Sequence, residues 1–189
     1  MLDLQPFAVS TGVVALGEMG DKTQLLALLL AARYRAPRAI VAGIFVATLA
    51  NHAAAAALGA WLTRLLDPTW LRWALGLSFI AMAAWMLVPD LADEGALQRH
   101  ASGHGVFWLT TVAFFLAEMG DKTQIATVML AAKYDALVAV TLGTTLGMMI
   151  ANVPAVLLGD RVLRKVPVQW VHRIAAVVFA AIGVAVLLR

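Results

Sequence analysis

The chain has 189 residues, of which 62% are hydrophobic and only 13% are charged, and it contains no cysteine. Because a soluble domain carries about 25% charged residues, this composition excludes a water-soluble enzyme, a nucleic-acid-binding module and a disordered protein. The net charge of +3 comes from basic residues that lie singly or in threes between apolar runs. We interpret them as determinants of membrane orientation rather than as contacts to nucleic acid.

Six apolar runs of bilayer-crossing length follow one another along the chain. They cover residues 7–32, 38–63, 70–88, 106–132, 136–159 and 168–188. Polar residues, often with a proline, separate the runs. The sequence therefore predicts an all-α integral membrane protein with six transmembrane helices.

The chain repeats itself at an offset of 100 residues. Leu16–Tyr34 aligns with Leu116–Tyr134 without a gap, with 12 identities in 19 positions. The longest polar break lies between the copies, so we predict a first three-helix repeat at 1–88, a linker loop at 89–105 and a second repeat at 106–189. Three crossings are an odd number, so the second repeat enters the membrane upside down, as in many secondary transporters.

Lysine and arginine residues indicate how the chain is oriented. Outside the repeated motif, eight of them lie on the side of the loops that follow the first, third and fifth runs, and four lie on the opposite side. Since positive charge favours the cytoplasmic side, we predict that the 89–105 loop is cytoplasmic and that both termini are outside.

The segment that recurs most strongly is E-M-G-D-K-T-Q, which places ionisable residues inside the first and fourth runs. Each such residue costs about 2.5–3.5 kcal/mol at the membrane centre, so six of them are too expensive to be incidental. On a continuous helix Glu18, Asp21 and Lys22 share one face, which predicts an inward-facing stripe in each repeat. Gly20 and Gly120 could unwind the helix locally and free carbonyl oxygens.

The polar groups of the first, second, fourth and fifth runs together predict an oxygen-rich metal site. Oxygen ligands favour a hard divalent cation such as Ca²⁺, Mg²⁺ or Mn²⁺. Four carboxylates and the two charge-tuning lysines, Lys22 and Lys122, sum to −2, which one divalent cation or two protons would balance. The predicted ligands are Glu18, Asp21, Glu118, Asp121, Gln24, Gln124, Asn51 and Asn152.

Several alternatives stay open on the residues alone. The acidic pairs could form Glu–Lys bridges that only fix helix packing, although this does not explain why they occur twice, and His52 could either bond between helices or line the site. An intramembrane aspartyl protease also places two aspartates in the bilayer, but Gly17 and Gly20 are spaced G-x-x-G-D here rather than G-x-G-D. An amino-acid exporter of a related helix plan and a pore are further alternatives, and four carboxylates suit a cation better than an amino acid.

The doubled E-x-G-D-K-[ST] signature in a six-helix, two-half chain resembles the calcium/proton antiporter-2 family, which includes Golgi calcium/manganese transporters and bacterial manganese exporters. This resemblance implies a protein of the inner membrane that exports Mn²⁺ or Ca²⁺ from the cytoplasm in exchange for protons, with the metal as substrate and no other cofactor. It leaves the metal preference, the proton stoichiometry and a homo-oligomeric state open. The motif residues fall on Glu18, Gly20, Asp21, Lys22, Thr23, Glu118, Gly120, Asp121, Lys122 and Thr123.

Overall fold

The computed structural model describes residues 4–88, 103–159 and 168–188, and within these ranges the chain forms eight helices and no strand. The all-α prediction is confirmed. Most of the 89–105 linker loop lies outside the described residues, so the division into two repeats stays a prediction. The helices are α1 Leu4–Glu18, α2 Lys22–Tyr34, α3 Pro37–Leu65, α4 Pro68–Trp85, α5 Gly103–Glu118, α6 Lys122–Tyr134, α7 Leu137–Leu158 and α8 Val168–Leu187.

The first and fourth apolar runs were each expected to form one helix, and each forms two. α1 and α2 are separated after Glu18, and α5 and α6 are separated after Glu118. At the breaks Gly20 and Gly120 have φ values of +84° and +75°, a left-handed conformation that glycine adopts without a steric penalty. The unwinding that the glycines allowed is therefore realised in both copies.

The continuous stripe predicted for Glu18, Asp21 and Lys22 is wrong for the same reason. Glu18 is the last residue of α1, and Asp21 is the N-cap of α2 with an extended backbone. Asp121 occupies the same position before α6. The acidic residues of each motif thus lie at the end of one short helix and the start of the next, and the backbone can change direction at the break between these helices.

The described helices differ in whether they are long enough to cross a bilayer alone. Three helical segments are long and apolar enough to cross a bilayer by themselves, namely Pro37–Leu65, Leu137–Leu158 and Gln169–Leu187. The four helices at the breaks have 13–16 residues, or about 20–24 Å, which is shorter than the hydrocarbon core of about 30 Å. Only as the pairs α1–α2 and α5–α6 do they reach membrane length.

The two halves pack against each other through matching contacts. A Cβ atom added to Gly43 of α3 would lie 2.8 Å from Thr110 Cβ of α5, and one added to Gly143 of α7 would lie 3.1 Å from Ser10 Cβ of α1. Gly43 and Gly143 are 100 residues apart, and so are Ser10 and Thr110. The two contacts are therefore equivalent, with the two halves exchanged. The long helix of each half therefore packs closely on the first helix of the other half, where a larger residue would not fit.

Helix α7 buries its polar side chains and exposes one apolar face. Leu142, Leu146 and Ile150 are 42–47% exposed, whereas Asn152 is fully buried. This arrangement is the reverse of that in a soluble protein, and it places polar groups in the interior beside the helix breaks.

Candidate metal site at the two helix breaks

Three carboxylates from the two halves meet in the interior. Glu18, Glu118 and Asp121 each offer one oxygen atom, and these three atoms all lie within 4.8 Å of one another. Both glutamates are fully buried and Asp121 is 3% exposed. Because Glu18 is 100 residues distant in sequence from Glu118, the contacts between the halves create this cluster.

The fourth acidic residue, Asp21, is also buried, at 3% exposure. It does not belong to the group of three found among the described residues. It is close enough to Glu118 to interact with it electrostatically. The structure therefore brings three of the four predicted carboxylates into direct proximity and places the fourth beside them.

Threonines of the motif orient the two glutamates. The Thr23 hydroxyl donates to Glu18 Oε2 at 2.6 Å, and the Thr123 hydroxyl donates to Glu118 Oε2 at 3.0 Å. Among the described residues, Glu18 Oε1, Glu118 Oε1 and Asp121 Oδ2 are buried without a hydrogen-bond partner. A buried carboxylate oxygen without a partner is costly unless a proton or a cation binds it. Three such atoms therefore point to a ligand at this position.

The two motif lysines have different surroundings. Lys22 Nζ lies 2.8 Å from Asp121 Oδ1, an ion pair between the halves, and the Lys22 side chain is 33% exposed. Lys122 is only 2% exposed. Its ammonium group donates to the Val88 carbonyl oxygen at 3.0 Å and lies 5.9 Å from the centre of the Trp85 ring. The repeat is thus symmetric in sequence but not in the exposure of its lysines.

The motif glutamines stabilise the helix breaks. The Gly20 amide donates to Gln24 Oε1 at 2.9 Å, and the Gly120 amide donates to Gln124 Oε1 at 2.6 Å. Gln24 Nε2 in turn donates to the Ala151 carbonyl oxygen at 2.7 Å. Sequence reasoning assigned these glutamines only to the metal and missed this role, although the G-x-x-x-Q spacing is a signal for it.

The two asparagines are used differently. Asn51 Oδ1 accepts a hydrogen bond from Gln124 Nε2, and Asn51 Nδ2 donates to the Phe115 carbonyl oxygen at 3.3 Å. Asn152 lies beside the Glu18 carboxylate, and its Nδ2 donates to the Met148 carbonyl oxygen at 3.1 Å. Asn152 Oδ1 is buried without a partner in the described part of the chain. Of the two asparagines, Asn152 is therefore the one beside the Glu18 carboxylate whose side-chain oxygen no described residue occupies.

A family model described as a divalent cation/proton antiporter, GDT1, matches residues 6–94 and 106–189. The chain belongs to the GDT1 family. The resemblance drawn from the doubled motif is thereby confirmed. As a member of this family the chain is a multi-pass membrane transporter and not an enzyme, so the aspartyl protease alternative is excluded.

Proteins similar to this chain match it over most of its length. A protein of Vibrio cholerae serotype O1, named as a candidate manganese exporter, is 51% identical over 94% of this chain and 88% of its own length. A GDT1-like protein of Synechocystis is 28% identical over 93% of both chains. GDT1-like protein 3 of rice is 27% identical over 93% of this chain and 71% of its own length. No solved structure matches the chain.

Proposed function

We propose that this antiporter exports Mn²⁺ from the cytoplasm in exchange for protons, with Ca²⁺ as the alternative substrate. Glu18, Glu118 and Asp121 form the core of the exchange site, and Asp21 completes a set of four carboxylates. The observation that carries the proposal is the cluster of three buried carboxylate oxygens within 4.8 Å of one another, contributed by both halves. The naming of the Vibrio cholerae relative supports manganese as the metal.

The exchange mechanism follows from the charge of the site. Four carboxylates and two lysines sum to −2, and like charges at this distance repel one another strongly in a medium of low dielectric constant. One divalent cation neutralises the site, and so do two protons. Mn²⁺ that arrives from the cytoplasm displaces the protons, and protons from outside later displace Mn²⁺ and return the carrier to its starting state.

The architecture that we propose has six membrane crossings arranged as two inverted repeats, residues 1–88 and 106–189, joined by a cytoplasmic loop at 89–105. The matched contacts of Gly43 and Gly143 support a two-fold relation between the halves, and an odd number of crossings in each half inverts the second one. The bias of lysine and arginine supports placing both termini outside the inner membrane.

The remaining motif residues support the site in distinct ways. Thr23 and Thr123 hold the glutamates through their hydroxyl groups, while Lys22 and Lys122 set the residual charge. Asn152 supplies a further oxygen beside Glu18. We propose weaker metal contacts for Gln24, Gln124 and Asn51, whose side-chain oxygens already accept hydrogen bonds in this structure.

The test is transport by the purified protein in proteoliposomes, measured with Mn²⁺, Ca²⁺ and Mg²⁺ and with or without a pH gradient. Each substitution of one site carboxylate by its amide should abolish transport while the protein stays folded, since each removes an anionic ligand. These variants are Glu18→Gln, Asp21→Asn, Glu118→Gln and Asp121→Asn. Asp67→Asn is the matched control because Asp67 is an exposed carboxylate that caps α4.

Near-normal flux in any two of the four site variants would contradict the shared site. Saturable flux distinguishes a carrier from a pore. Transport of an amino acid in place of the three cations would favour the exporter of a related helix plan.

A further inference from the structure

Helix α7 carries a row of polar side chains that continues from Asn152 of the carboxylate site to two threonines that the site does not account for. Thr141, Thr145 and Asn152 are separated by four and seven residues, so at 100° per residue they lie within about 40° of one another on one face of the helix. All three are 0–6% exposed. The two threonines are specific to the second half, because the positions in α3 offset by 100 from them are Val41 and Phe45.

Each member of the row has a buried oxygen atom without a hydrogen-bond partner among the described residues: Thr141 Oγ1, Thr145 Oγ1 and Asn152 Oδ1. A threonine in a helix can bond the carbonyl oxygen four residues earlier, and Thr144 of the same helix does so with Val140 at 2.9 Å. Leaving a buried hydroxyl unpaired costs about 1–3 kcal/mol. A buried hydroxyl that does not bond this carbonyl oxygen is therefore expected to bond water or an ion.

The row has the length of a path from one membrane surface to the carboxylates. It starts at Thr141, about one turn after α7 begins at Leu137, and it ends at Asn152, beside Glu18. Eleven residues of helix rise about 16 Å, which is about half the thickness of the hydrocarbon core. The opposite face of α7 exposes leucines, so the row is directed into the protein.

We propose that Thr141, Thr145 and Asn152 line a path between the carboxylates and the surface at which α7 begins, and that water enters this path when the carrier opens toward that surface. Hydrated divalent cations and protons pass along it, and this part of the inference rests on the proposed function. In the orientation proposed above, the path opens outside the cell and carries the outward release of metal and the entry of protons.

The chain contains no cysteine, so single cysteine variants report water access directly. Thr145→Cys and Thr141→Cys should react with a membrane-impermeant methanethiosulfonate reagent, since a thiol is modified as thiolate in water. Leu146→Cys is the matched control, because Leu146 is one residue further along α7 and 42% exposed on its apolar face. Asp135→Cys, in the turn before α7, identifies the side from which labelling occurs.

We expect Thr145→Cys to react at least 100-fold faster than Leu146→Cys, and only from the side that labels Asp135→Cys. Equal reaction rates, or labelling of both threonine variants from the opposite side, would overturn the path. Thr145→Val keeps the side-chain shape but removes the hydroxyl, so Mn²⁺ exchange should slow at least fivefold with unchanged Mn²⁺ affinity and no fall in the melting temperature. Wild-type exchange in this variant would overturn passage along the row.

These measurements separate the path from the proposed function. One-sided labelling of Thr145→Cys in a protein that moves no cation would leave the path standing and reject the exchange mechanism. Cation/proton exchange by the wild type together with unreactive Thr141→Cys and Thr145→Cys variants would reject the path and leave the exchange mechanism standing.

Discussion

Replacing Glu118 by glutamine should stabilise the protein without metal and weaken its response to metal. The side-chain oxygens of Glu18 and Glu118 lie within 4.8 Å of each other. Two unit charges at that distance repel by about 3.5 kcal/mol at an effective dielectric constant of about 20. Glu118→Gln removes this repulsion, and the amide oxygen can still accept the hydrogen bond from Thr123. At a pH high enough to ionise both glutamates, the free energy of unfolding of the metal-free protein should therefore rise, by at most that amount.

Mn²⁺, in contrast, should stabilise the wild type more than the Glu118→Gln variant. At a Mn²⁺ concentration 100 times the dissociation constant of the wild type, binding stabilises the wild type by about 2.7 kcal/mol. If the loss of one anionic ligand weakens binding tenfold, the stabilisation of Glu118→Gln falls to about 1.4 kcal/mol. The advantage of the variant should also shrink as pH falls, because protons neutralise the wild-type cluster as the amide does.

The assay is unfolding of the detergent-solubilised protein with and without Mn²⁺ over a range of pH. Asp67→Asn is the control, because Asp67 lies outside the site, where its Oδ1 accepts a hydrogen bond from the Thr69 amide at 2.8 Å. Asparagine caps a helix equally well. Its stability and its response to Mn²⁺ should equal those of the wild type. The reasoning is refuted if metal-free Glu118→Gln is less stable than the wild type while Mn²⁺ stabilises both proteins equally.

Three further substitutions test the motif. Lys22→Gln removes the 2.8 Å ion pair with Asp121 and changes the net charge of the site. It should therefore alter the pH profile of Mn²⁺ exchange more than the unfolding temperature. An unchanged pH profile would contradict the charge-tuning role of Lys22. Gly120→Ala should destabilise by about 1–2 kcal/mol in thermal unfolding because φ is +75°, whereas the control Gly12→Ala, in a helix and equally open, should not. Gln24→Ala should cost about 1–3 kcal/mol, since two hydrogen bonds are lost, and wild-type stability would argue against its role at the break.

The sequence predicted the helical class and the gathering of carboxylates for physical reasons. Apolar runs of membrane length indicate helices because lipid provides no partner for backbone groups. Glu18 and Glu118 could be expected to meet because a duplicated segment occupies equivalent positions in both halves. The three-residue helix breaks could not be read from hydrophobic periodicity, because glycine also occurs inside continuous membrane helices.

The roles of the amide side chains depended on tertiary contacts that no local pattern contains. Gln24 bonds the backbone at Ala151, and Gln124 bonds Asn51 instead. An amide serves equally well as a metal ligand and as a hydrogen-bond partner, so composition alone could not distinguish the two. The available oxygen of Asn152 became apparent only when α7 was placed beside α1.

The most direct test of the exchange mechanism is the linkage between metal and proton movement in proteoliposomes that contain the wild-type protein. Mn²⁺ added on one side should drive protons in the opposite direction, and a pH gradient alone should accumulate Mn²⁺ against its concentration gradient. The Glu118→Gln variant should show neither effect. Saturable Mn²⁺ flux without linked proton movement would contradict exchange at the carboxylates and indicate a uniporter.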